Sequence, residues 1–106
     1  MGAGVSETKL AHAIKVLEGA LLTARRGYQY RVESAESWRS GDDASHREAH
    51  AMAERQSGRK MQYQNAEQRE HLAKIDERIG ARNLAEAEGL DYALGVLRAH
   101  FERAQP

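Results

Sequence analysis

Gly80-Ala81-Arg82-Asn83-Leu84-Ala85-Glu86 decides how many helices this chain forms and how they are arranged. A glycine just past an apolar run commonly closes a helix in the left-handed conformation. Asn83 followed by Glu86 has the spacing with which a cap residue and a glutamate open another helix. Read this way, the chain turns at 80–83 and a final helix runs over about 84–104. Its apolar stripe is Ala87, Leu90, Leu94, Leu97 and Phe101.

Upstream of the turn, Leu72, Ile75 and Ile79 share one face of a second helix expected over about 46–79. Ser45-His46-Arg47-Glu48, with capping-box spacing, announces its start. A first helix is expected over about 7–40, capped by Ser6 with Glu7 near its positive end. Along it Leu10, Ile14, Leu17, Leu21, Ala24 and Tyr28 follow alternating steps of four and three, an amphipathic, coiled-coil-like seam. The seam fades through Val32 and Ala35 toward Trp38, and Gly41 supplies a left-handed end. The expected fold is therefore all-α: a long antiparallel helical hairpin with a third helix packed on its base as a three-helix bundle. At about 1.5 Å per residue the first two helices are each on the order of 50 Å long and the third about 30 Å. The third can then cover only the lower half, leaving a two-helix arm above it. Gly27 and Gly58 would face each other at the joint of that arm.

With 106 residues there is room for one domain. Charged residues make up 30% of the chain and cancel to a formal net charge of zero, so no strong overall attraction to nucleic acid or anionic lipid is expected. The absence of cysteine removes disulfides, thiol catalysis and Cys-ligated zinc, and suits the cytoplasm. No apolar run approaches the ~20 residues of a membrane span, and no signal-peptide pattern opens the chain. Met1-Gly2-Ala3-Gly4-Val5-Ser6 matches the loose myristoylation pattern, but a short tail ahead of the helix cap is the simpler reading. Arginine outnumbers lysine 12 to 4 in an alanine-rich chain, a bias that fits a GC-rich bacterial or phage genome.

The arm carries little aliphatic residue but is rich in the types that dominate interaction hot spots. Tyr28, Tyr30, Arg31, Trp38, Arg39, Arg47, Met52 and Arg55 are the candidate contact residues. The function expected is that of a non-catalytic protein-interaction module, such as an adaptor, assembly factor or inhibitor. It would dock a protein partner and associate with itself as a homodimer. Packing of the aromatic rings inside the hairpin is the competing use of the same residues. Nucleic-acid binding is the alternative function, through Arg25-Arg26, Arg59-Lys60 and the tyrosines. Against it, the segment 25–60 holds eight basic and six acidic residues, a net charge of only +2. His46 and His50 stand four apart, yet the intervening glutamate is not in the zincin position, so an exposed pair without metal is expected. No phosphate loop or nucleophile elbow is present, and neither enzyme activity nor a cofactor is expected.

Overall fold

The structure, a computed structural model, describes residues 7–104; the cap assigned to Ser6 and the myristoylation match lie outside the described residues. Three helices make up the fold, with no strand among the described residues: α1 (Glu7–Arg39), α2 (Asp43–Ser57) and α3 (Ala66–Ala104). The all-α helical hairpin is as expected, but its second limb is α3, which runs antiparallel to α1. Ion pairs from Glu18 to Arg98 and from Arg39 to Glu70 fix that direction. The molecule measures 68 × 26 × 18 Å.

The expected boundaries at 46–79 and 84–104 do not hold, and the cause lies in two places. Gly58, at φ +69°, ends α2 in the left-handed region, its N–H bonded to the Glu54 carbonyl. After an extended passage Asn65 starts α3. Its side chain accepts from the Gln68 N–H at 2.9 Å, and the Gln68 side chain accepts from the Asn65 N–H at 2.8 Å. That reciprocal capping box satisfies two donors that the helix start would leave unpaired. Gly80 and Asn83, by contrast, sit inside continuous helix.

Close helix approach explains why those residues resemble punctuation. Gly80 is buried, and a side chain there would begin 3.3 Å from the Cβ of Arg31 and 3.6 Å from the Tyr28 ring. Gly27 faces Asn83, whose amide nitrogen would lie 2.9 Å from an added Cβ. Both glycines therefore serve packing between α1 and α3 rather than helix termination. The expected joint is absent: Gly27 lies within unbroken α1, and only Gly58 ends a helix.

The apolar core is narrow. Leu21, Ala24, Ala87 and Leu94 are buried together, flanked by Ile14, Leu17 and Leu90. Toward the closed end, Ala35 and Ala73 are buried beside a polar layer in place of large aliphatics. There Asp76, 5% exposed, accepts from Arg31 at 2.8 Å and from the Ser34 hydroxyl at 2.6 Å. The Ser34 hydrogen bond first, and Arg31 after it, hold the Asp76 carboxyl below the usual carboxylate range.

Gly41, at φ +82°, reverses the chain after α1 as its composition suggests. Asp42, not Ser45, is the cap of α2, its carboxylate accepting from the Ser45 N–H at 2.8 Å. No two-helix arm projects beyond a shorter third helix. Instead α2 meets the hairpin through side chains rather than close backbone packing.

Candidate functional site

The side chains that join α2 to the hairpin enclose a groove of about 600 Å³ at the closed end. One wall is α1, contributing Tyr30 and Trp38; the other is α2 and the segment 58–65, contributing His46, His50, Met61 and Tyr63. This wall has no buried residue of its own within α2. Its position depends on a polar and aromatic clamp centred on Tyr63.

Arg69 is the buried end of the clamp, at 6% exposure. Its guanidinium donates to the Tyr63 hydroxyl and to the Gln64 carbonyl, both at 2.9 Å, and lies 3.6 Å from the Asp43 carboxylate. The Tyr63 hydroxyl in turn donates to that same carboxylate at the start of α2. Arg47 pairs with Asp43 at 2.7 Å and stacks its guanidinium over the Tyr63 ring, 4.4 Å from the centroid. His50 meets the ring edge-on at 5.6 Å. The hydroxyl of Tyr63 and the guanidinium of Arg47 lower the Asp43 carboxyl pKa. A second tie comes from Glu54, which accepts from the Met61 N–H at 2.9 Å and contacts His50 at 3.3 Å. His46 closes the turn with a 2.6 Å contact to the Ser40 carbonyl.

The clamp leaves apolar surface open. Tyr30 is 63% and Met61 43% exposed, and Trp38, also lining the groove, is half-buried. What the groove offers is flat aromatic area, an adaptable thioether and few free charges, because its cations are already paired. Such a surface suits an apolar side chain from another molecule.

The eight candidate contact residues are divided among different environments. Tyr30 and Trp38 line the groove, and Arg47 braces it from behind Tyr63. Tyr28 is half-buried against Gly80. Arg31 is taken up by Asp76, and Arg39 bridges Glu70 at 2.9 Å and Glu77 at 2.5 Å across the hairpin. Those two carboxylates keep the Arg39 pKa raised. Met52 and Arg55 are exposed on α2. Of the basic residues considered for nucleic acid, Arg25 faces Asp91 at 3.7 Å, while Arg59 and Lys60 stand in the segment after Gly58.

Tyr63, Arg69 and Met61, together with His46 and His50, which are half-buried rather than the exposed pair expected, are groove residues that sequence reading did not place there. A polar helix was expected over this segment, and the signal that corrects it is Asn65-Ala66-Glu67-Gln68. Among the described residues, no group of three or more His, Asp or Glu is arranged to hold a metal ion. No helix among them is long and apolar enough to cross a membrane. Comparison with protein-family models, curated proteins and solved structures gave no match.

Proposed function

We propose that the chain is a non-catalytic interaction module whose closed-end groove docks an apolar segment of a protein partner, as an adaptor, assembly factor or inhibitor would. The observation that carries this reading is the half-open aromatic groove itself. A clamp of ion pairs and hydrogen bonds holds α2 away from α1, leaving Trp38, Tyr30 and Met61 in contact with solvent. A helix that only completed the core would bury apolar residues of its own, and α2 buries none. Aromatic and methionine side chains in a desolvated pocket are typical anchors of protein recognition. The absence of cysteine suits action in the cytoplasm.

The test uses a randomised peptide library displayed on phage and selected against the whole chain. Trp38 is the one tryptophan in the sequence, so its fluorescence reports occupation of the groove directly. The expected result is peptides anchored by large apolar side chains that shift Trp38 emission and lose at least tenfold in affinity on Tyr30→Ala or Met61→Ser. Selected peptides that leave the emission unchanged and bind both variants equally would overturn the reading. Steep salt dependence of a labelled DNA or RNA oligonucleotide binding the same groove would favour the nucleic-acid alternative.

A further inference from the structure

Charge is distributed unevenly inside the closed-end groove. Its lining holds two fully charged side chains, Glu33 on α1 and Arg69 on α3. Arg69 is buried and taken up by three partners: the Tyr63 hydroxyl, the Gln64 carbonyl and the Asp43 carboxylate. Glu33 is exposed, accepts a 3.0 Å hydrogen bond from the neutral Gln29 amide, and forms no ion pair among the described residues. The two histidines of the lining are engaged elsewhere, His46 by the Ser40 carbonyl and His50 by Glu54. The charge that the groove leaves without a counter-ion is therefore negative. Tyr30, Glu33 and Ser37 follow one another at steps of three and four, on one face of α1, so Glu33 stands one turn from the exposed ring of Tyr30. Neighbouring cations do not neutralise it. Arg31 lies 5.5 Å from the Tyr30 ring centroid but pairs with Asp76, and Arg47 stacks on Tyr63 and pairs with Asp43. Arg26 stands seven positions before Glu33, about 10 Å along α1, and Lys60 lies outside the lining; neither pairs with Glu33.

We propose that the protein segment docked in this groove carries a lysine or arginine beside its apolar anchor, with that cation seated on Glu33. The inference rests on the groove being a docking site for a protein segment, and adds the chemistry of that segment. A long basic side chain lays its alkyl stem on apolar surface, here the exposed ring of Tyr30, while its charged end reaches the carboxylate. An acidic segment, or the phosphates of a nucleic acid, would meet Glu33 as a like charge, and juxtaposed like charges suppress wrong partners. Apolar surface supplies affinity in this arrangement, and Glu33 selects among apolar segments by the charge beside the anchor.

Parallel selections from one random peptide library, on the whole wild-type chain and on Glu33→Lys, provide the test. The wild type is expected to enrich lysine or arginine at a fixed spacing from a large apolar residue. Glu33→Lys is expected to enrich aspartate or glutamate at that same position. The leading wild-type peptide is then titrated by Trp38 fluorescence beside a form in which glutamine replaces its basic residue. The glutamine form binds the wild type roughly three- to fivefold more weakly, the upper part of the range for an exposed ion pair. On Glu33→Gln that ratio falls to near one, as a double-mutant cycle requires of a direct pair. Circular dichroism checks that each substitution at this exposed position leaves the helices intact. Peptides that shift Trp38 emission but show no preference for a basic residue would overturn the proposal and leave groove docking standing. So would a ratio that Glu33→Gln does not change. A selection that yields no peptide able to move Trp38 emission would remove both readings.

Discussion

Removing the carboxylate of Asp76 tests whether the polar layer at the closed end stabilises the hairpin. Asp76→Ala deletes the acceptor of two hydrogen bonds, from Arg31 at 2.8 Å and from Ser34 at 2.6 Å. Both bonds end on the ionised carboxylate, and a hydrogen bond to a charged group contributes about 1.5–3 kcal/mol. The Arg31 side chain is 33% exposed and can turn to water, which places its loss at the low end. Alanine regains about 0.5 kcal/mol in helix propensity. The net cost, with both bonds at the low end, is about 2.5 kcal/mol, or roughly 10–20 °C in the melting temperature of a domain this size. The assay is thermal unfolding followed at 222 nm between pH 7 and pH 2. Because the folded carboxyl pKa is lowered, its contribution is complete above the unfolded value of about 3.9 and is lost as pH falls through the folded value. The gap between wild type and variant should therefore narrow toward pH 2. A gap under about 3 °C at pH 7, or one unchanged by acid, would refute the reasoning.

Leu94 is the one large side chain fully buried among the described residues, so Leu94→Ala should cost about 2–5 kcal/mol in urea unfolding at unchanged slope. Tyr63→Phe removes the hydroxyl that links Arg69 to Asp43; amide exchange should accelerate across α2 while α1 and α3 keep their protection. Asn65→Ala loses the cap of α3 and should destabilise by about 1 kcal/mol, read from the same urea transition.

The helix content and the α1 seam were legible because a step of three and four residues is a local property of the chain. The break was harder to place. Gly58 and Gly80 look alike in sequence, and both follow a stretch that reads as helix. Only tertiary contact separates them: nothing lies within 4 Å of an added Cβ at Gly58, whereas Gly80 lies against Tyr28 and Arg31. Asn65-Ala66-Glu67-Gln68 and Asn83-Leu84-Ala85-Glu86 are likewise equivalent as cap signals. The first follows a left-handed glycine and opens a helix; the second is interior, where Asn83 packs on Gly27. The candidate contacts divided for a related reason. Tyr30 and Trp38 declare their bulk in the sequence, but whether an arginine is free depends on carboxylates about 30–45 positions away, as for Arg39 with Glu70 and Arg31 with Asp76. The clamp was invisible because its members, Asp43, Tyr63 and Arg69, come together only once the chain has turned at Gly58.

Amide hydrogen exchange of the whole chain, with and without a peptide selected for binding, tests the groove most directly. Protection should rise in residues 30–38, 46–50 and 61–64, where the walls meet the ligand. Protection that rises instead along 16–27 and 75–96, with the groove segments unchanged, would contradict docking at the closed end.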